Sequence, residues 1–318
     1  MTRPTCLQSL GSILALATVL CIPVAVWPAS LPPQATIAPE PTSAVHALAS
    51  GNPLRVALGE ALFSDVRLSG DGRRSCASCH DLATNGASGV KRDLAPDGQP
   101  LPLNTNTVFN AALSYRLDWA GQERSLEEQA RVSMTRLDVM ALTPEAAAER
   151  LGAHPGMARR FREAYGRNPD AAALLDALAS FERTLVTPGS RFDRWLEGDA
   201  GALTPEELDG YRRFKAAGCM SCHQGVNVGG NLFQVHGLFR TVGTPEPRML
   251  RVPSLRNVAA TPPYFHDGSA ATLEEAVHVM AVAQLGRDLP NPQVGQITAF
   301  LRSLTGTYRD RPVSAPLP

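Results

Sequence analysis

Two five-residue strings carry the most specific chemistry in this chain: Cys76-Ala77-Ser78-Cys79-His80 and Cys219-Met220-Ser221-Cys222-His223. Each sets two thiols three residues apart with an imidazole on the next residue. On one helical turn both sulfurs reach the same edge of a flat macrocycle, and the histidine falls beneath its plane, where a ring nitrogen can ligate a central iron. This is the attachment signature of c-type haem. Zinc is the competing chemistry for paired cysteines. A four-cysteine zinc site spaces its two knuckles about 15–20 residues apart, whereas these strings stand in different halves of the chain and each is closed at once by histidine. Two covalently bound haem c groups follow, anchored by Cys76, Cys79, Cys219 and Cys222, with His80 and His223 on the irons. Two haems on one chain imply electron transfer.

The rest of the chain has to position these groups. At 318 residues it is long enough for about two domains. Its formal net charge of zero gives no electrostatic reason for a nucleic-acid partner or an anionic membrane surface. The two cysteines outside the haem strings, Cys6 and Cys21, fall in the leader, so none is left for a disulfide in the mature chain. That leader begins with Arg3 and runs through an apolar stretch from about Leu10 to Trp27, broken by Pro23. It has the form of a secretory signal and is short for a membrane span, so cleavage is preferred to a permanent anchor. Export to the periplasm agrees with haem strings, because c-type haem is attached outside the bacterial cytoplasm. Residues 1–30 are therefore expected as signal peptide or N-terminal anchor, and the Pro-, Ala-, Ser- and Thr-rich residues 31–47 as a flexible tether.

Helix signals dominate thereafter. Ser125-Leu126-Glu127-Glu128, Thr204-Pro205-Glu206-Glu207 and Thr272-Leu273-Glu274-Glu275 each fit a capping box, and Thr143-Pro144-Glu145 adds a capped start. Leu174, Leu178, Phe181 and Leu185 form a core-facing helical stripe. Thr187-Pro188-Gly189-Ser190 breaks that helix and is the candidate hinge. A last helix is expected near Gln293–Leu304, and alternating strands are scarce. The expected fold is mainly α with little β: two cytochrome-c-like haem domains, 48–196 and 197–312, in which only the haem strings visibly recur.

With both haem motifs, several ordered strings make the chain resemble the bacterial di-haem cytochrome c peroxidases. They include Leu68-Ser69-Gly70-Asp71-Gly72, Ser125-Leu126-Glu127-Glu128-Gln129-Ala130, Phe181-Glu182-Arg183-Thr184-Leu185-Val186, Val252-Pro253-Ser254-Leu255-Arg256-Asn257, Tyr264-Phe265-His266-Asp267-Gly268 and Ala283-Gln284-Leu285-Gly286. The likeness spans about Leu58 to Gly306. The MauG-like enzymes, which oxidise residues of partner proteins, share the scaffold.

The resemblance implies a division of labour. The first haem cleaves hydrogen peroxide and needs an open sixth position. The second takes electrons from a small periplasmic cytochrome c or cupredoxin, with Met280 as its sixth ligand where the MauG-like group has tyrosine. On a helix over Leu273–Leu285, Met280 shares an apolar face with Leu273, Ala276, Val277 and Ala283, whereas its rival His278 shares a wet face with Glu274 and Glu275. A distal histidine carried by many relatives has its counterpart at Pro96, so the first iron is expected to be open at rest, with Lys91 or Met134 as alternative caps. By the same resemblance Gln129 hydrogen-bonds peroxide, Asp138 stands in for the acid–base glutamate, and Trp119 lies between the haems. The alternatives for Asp138 are a surface residue or a helix-end charge, and for Trp119 core filling. Calcium between the domains would use Asn104, Thr261 and Pro263. Arg251 and Arg256 serve either haem propionates or structural ion pairs. His266 reads as support or packing, and His46 and His236 as unremarkable. Family members often pair as homodimers, which no stripe in this sequence establishes. The expected activity is cytochrome c peroxidase; the alternatives are a MauG-like protein oxidase and a non-catalytic di-haem electron carrier with both irons six-coordinate.

Overall fold

The computed structural model describes residues 40–49 and 51–316. The leader and most of the expected tether lie outside them. The fold is mainly helical. The first lobe holds α1 (Pro53–Phe63), α2 (Leu126–Thr135), α3 (Pro144–Gly152), α4 (Pro155–Tyr165) and α5 (Ala171–Glu182). The second holds α6 (Arg191–Leu196), α7 (Pro205–Ala217), α8 (Leu273–Leu285) and α9 (Asn291–Arg302). Strand structure among the described residues is confined to two antiparallel pairs: β1 (Phe233–Val235) with β2 (Met249–Arg251), and β3 (Thr307–Tyr308) with β4 (Arg311–Pro312).

Helix starts follow local chemistry. Thr204 accepts from the Glu207 amide and the Glu207 carboxylate accepts from the Thr204 amide, which closes a full capping box on α7. At α2 and α8 the box opens by one residue. Ser125 and Thr272 still accept from Glu128 N and Glu275 N, but the glutamates take the amides of Arg124 and Ala271, 2.7 and 2.8 Å away.

Each lobe is built on a helix crossing that only glycine permits. A Cβ on Gly59 of α1 would lie 1.9 Å from the Ala177 carbonyl oxygen of α5, and one on Gly210 of α7 would lie 1.9 Å from that of Gln296 on α9. One turn beyond each glycine a phenylalanine meets an aromatic from the partner helix: Phe63 on Phe181 at 5.5 Å and Phe214 on Phe300 at 5.3 Å between centroids. The first core gathers Leu58, Leu62, Phe161, Leu174 and Leu178 around this crossing; the second gathers Phe192, Trp195, Tyr211, Leu301 and Leu304.

Three expectations are revised. The boundary does not fall after residue 196, because Phe192 and Trp195 of α6 belong to the second core. The expected hinge is fastened: Thr187 Oγ1 accepts from Asn110 Nδ2 at 2.7 Å and from Asn257 Nδ2 at 2.9 Å, one from each lobe. The tether does not run to residue 47 either. Glu40 meets Tyr211 and Lys215, Pro41 O accepts from Gly225 N, and Val45 N donates to Asp193, so 40–45 lie against the second lobe. The C-terminal tail returns to the first, where Tyr308 packs on Phe109 and Val313 joins the core.

Candidate haem centres and active site

Both haem strings form a single 3₁₀ turn followed by the histidine, with Cys79 N bonded to Cys76 O and Cys222 N to Cys219 O, each at 3.2 Å. His80 Nδ1 lies 3.0 Å from the Gly86 carbonyl and His223 Nδ1 3.3 Å from that of Val228. A carbonyl only accepts, so each Nδ1 carries the hydrogen and each Nε2 keeps the lone pair that a metal takes. Burial holds both imidazoles below the usual histidine range, His223 down to about 4, so both are neutral at physiological pH. Burial likewise pushes the Cys76 thiol up to about 12 and the Cys219 thiol up to about 11.

One cavity of about 520 Å³ runs from the first string to the second and is bordered by all four motif cysteines, both histidines and Met280. Two of its polar side chains are incompletely engaged. Gln129 Oε1 is buried and unbonded, while its Nε2 donates to Ser133 Oγ at 3.1 Å. Arg251, only 8 % exposed, has no ion-pair partner among the described residues and donates through Nε to the Asp118 carbonyl. A buried cation facing an apolar cavity suits the propionates of a haem. Arg256 does not: its guanidinium is paired with Asp193 at 2.7 Å, both side chains 1 % exposed, and it also bonds Val226 O and Ser43 O. The residues present therefore fit two c-type haems.

The lobes correspond far beyond the haem strings. Asn110 and Asn257 are both left-handed, at φ 61° and 59°, and bond through their amides to Leu185 O and Leu304 O. Seven residues on, Leu117 bridges to Glu123 and Tyr264 to Ala270. In these matching hairpins Asp118 and Phe265 both have positive φ, as do Gly121 and Gly268. Trp119 and His266 then hold the same place, and their rings meet edge to face at 6.2 Å. Trp119 Nε1 donates to Asn104 O and Asn104 N to His266 O, so the lobes are stitched together there. His266 is buried and bonds His236 Nε2 at 3.0 Å, which places both histidines in one network on the cavity wall.

Helices α2 and α8 then start in register, and the eighth residue of α8, Met280, corresponds to the eighth of α2, Ser133. Both border the cavity. His278 is exposed and lies 3.8 Å from Asp288, away from it. Neither alternative cap for the first haem's sixth position borders the cavity, since Lys91 is exposed and Met134 is buried in the first core; Pro96, at the place of the relatives' distal histidine, is exposed and off the cavity too.

Gln129 and Trp119 border the cavity, but Asp138 does not. Its carboxylate is gripped by Arg136 through Nε at 2.9 Å and Nη2 at 2.5 Å, and this hydrogen bonding holds it below the usual range. It borders a small side pocket of about 80 Å³ shared with His80, Ser133 and Val139, while Arg136 and Val139 face the main cavity. A carboxylate so engaged is a poor proton carrier, so the expectation for Asp138 is corrected. Asn104, Thr261 and Pro263 all border the cavity; no cluster of acidic, histidine or cysteine ligands for a free metal ion occurs among the described residues. Ser133 was missed in the sequence. Counting forward from the two asparagines, rather than from the haem strings, finds it.

Two lobes of one design, each presenting an anchored neutral histidine to a shared cavity, define a two-centre c-type haem protein. A model of the di-haem cytochrome c peroxidase family matches residues 53–201. The chain is 39 % identical over 286 residues to the cytochrome c551 peroxidase of Nitrosomonas europaea, covering 85 % of this chain and 86 % of that one. It is 37 % identical over 251 residues to the methylamine utilization protein MauG of Methylorubrum extorquens, covering 74 % and 70 %. A crystal structure of a MauG-like protein associated with microbial copper homeostasis superposes with a TM-score of 0.68 at 26 % identity, covering 88 % and 96 %. The chain belongs to the di-haem cytochrome c peroxidase family and is an oxidoreductase with haem c as its cofactor.

Proposed function

We propose that this chain reduces hydrogen peroxide to water in its first lobe with electrons that enter through its second. When bound, the haems supply redox chemistry: one site activates peroxide, the other relays electrons. The observation that carries this division is the eighth residue of the two matched helices. Met280 brings a thioether that can complete an iron's coordination and raise its potential; Ser133 brings a short hydroxyl already engaged by Gln129. Gln129 keeps its Oε1 free for a peroxide hydrogen, and Trp119 spans the gap between centres.

The donor is a small periplasmic cytochrome c or cupredoxin, and the chain is exported; among the described residues no helix is long and apolar enough to cross a membrane. Calcium fits the same reading. The Asn104 amide donates to Val90 O and Lys91 O, which leaves its Oδ1 for a hard cation beside the carbonyls of Thr261 and Pro263. Metal analysis of the purified protein reports its occupancy, and the mass in solution decides whether the chain pairs as a homodimer.

The deciding experiment records the resting optical spectrum of the holoprotein and, on the same sample, the oxidation of reduced cytochrome c by peroxide. One high-spin and one low-spin haem with turnover are expected, in fully oxidised as well as half-reduced protein. Two low-spin haems without turnover would leave a plain electron carrier. A protein-oxidising role is the second reading, favoured by the missing distal histidine and opposed by Met280.

A further inference from the structure

The acid–base group of the peroxide pocket is unassigned once Asp138 is set aside. The matched lobes offer a candidate at the end of α5. Phe181 and Phe300 are equivalent by their glycine crossings, so the residues after them, Glu182 and Leu301, are equivalent too. Both border the haem cavity. Where the second lobe has an apolar contact, the first has a carboxylic acid.

Glu182 faces the helix that carries the peroxide-binding side chains. Ala179, one turn earlier on α5, clusters with Leu126 of α2, one turn before Gln129. The Glu182 carboxylate makes no hydrogen bond or ion pair among the described residues, although Arg183 beside it is paired with Glu127 of α2. The carboxylate thus stays free on the wall shared with Gln129, whose Oε1 is also unpartnered.

We infer that Glu182 is the proton donor of peroxide cleavage in this chain, an assignment that rests on the open first site proposed above. The outer peroxide oxygen leaves as water with its own proton and the one from Glu182, taking the electron pair of the O–O bond. The inner oxygen keeps its proton, receives two electrons from the donor protein through the second lobe and one proton from solvent, and becomes the second water. Solvent reprotonates Glu182. Burial first, and the nearby Glu127 second, push the Glu182 carboxyl up to about 8, partly offset by Arg183. It therefore holds its proton at neutral pH, as a general acid must. The Cys76 thiol, the other titratable group facing it, is consumed when the haem is attached.

The test uses holoprotein and the E182Q and E182L variants, the second copying Leu301. Fluoride reports on the open site without turnover. In wild type its affinity should fall about tenfold per pH unit above the titration of Glu182, because binding an anion beside a second anion requires the proton. That step should vanish in both variants, with peroxide turnover at pH 7 down about 10²–10⁴-fold. Thermal midpoints at or above wild type for E182L confirm that the fold is intact. An unchanged fluoride profile in the variants overturns the assignment, whether turnover survives or not, since loss of turnover alone is then a packing effect. If fluoride fails to bind wild type at all, the open first site falls, and this inference with it.

Discussion

The two lobes share glycine crossings, paired phenylalanines, left-handed asparagines, hairpins and helix caps, yet their walls around the cavity differ at a few side chains. Met280 faces Ser133, Ala276 faces Gln129, and Leu301 faces Glu182 across this correspondence. The second lobe presents apolar groups and one thioether. The first presents a hydroxyl, an amide and an acid. A common scaffold thus offers the cavity different chemistry in each lobe by changing three side chains, which is the difference that the proposed relay and reaction site rest on. The scaffold is held in common because its shared features are requirements of helix packing and backbone geometry. At a glycine where a Cβ would lie 1.9 Å from a carbonyl, nothing else fits. The wall positions carry no such constraint and are free to diverge.

The sharpest way to break the comparison is to exchange the paired side chains. S133M should close the first site: the high-spin spectral component should disappear and peroxide turnover should be abolished, because a filled sixth position excludes substrate. M280S should do the reverse, giving a second high-spin haem that the donor no longer reduces, since loss of the thioether lowers its potential. Optical spectra of both variants check this directly. If S133M left the high-spin component unchanged, Ser133 would not lie over the first iron.

Part of this was legible in the sequence. The haem strings and the caps at Ser125, Thr204 and Thr272 act through residues within a turn of each other, and their chemistry can be read locally. Met280 was separable from His278 because helical period alone puts them on different faces. The internal repeat was hidden, because its markers are single residues with backbone roles, such as Gly59 and Asn110, scattered among unlike neighbours. Asp138 was misjudged for a related reason. Nothing in the string Arg136-Leu137-Asp138-Val139 says that the arginine would take both carboxylate oxygens and leave Val139 on the cavity wall. The docked segment 40–45 was equally illegible: a Pro- and Ala-rich stretch looks like linker until Asp193, Arg256 and Tyr211 supply its partners.

The residue before each left-handed asparagine gives a smaller contrast. The first lobe has Phe109, packed on Tyr308; the second has Arg256, ion-paired with Asp193. F109A should cost about 3–5 kcal/mol through the cavity it leaves. R256A should cost a similar amount, about 3–5 kcal/mol, for a different reason: it strands a buried carboxylate. The double variant R256L/D193N separates the two causes. It should recover much of the loss in urea unfolding, because a neutral pair removes the uncompensated charge. No second substitution of comparable kind rescues F109A. Equal loss in R256A and the double variant would mean that Arg256 acts by packing.

The weakest expected effect separates Glu182 from Leu301 in stability rather than in catalysis. In the folded protein the Glu182 carboxyl holds its proton up to about 8, against 4.5 for the ordinary group. Between those values the native state binds more protons than the unfolded chain, so this group's contribution is fullest below 4.5 and is lost as pH rises toward 8. Wild type should therefore lose more stability than E182L between about pH 5 and pH 8, with urea midpoints as the measure. The gap should be modest, because the side chain is only partly buried and solvent contact screens the carboxylate. A wild-type midpoint that rises with pH relative to E182L would place the carboxylate beside a cation instead, since only a partnered anion becomes more stabilising as it ionises.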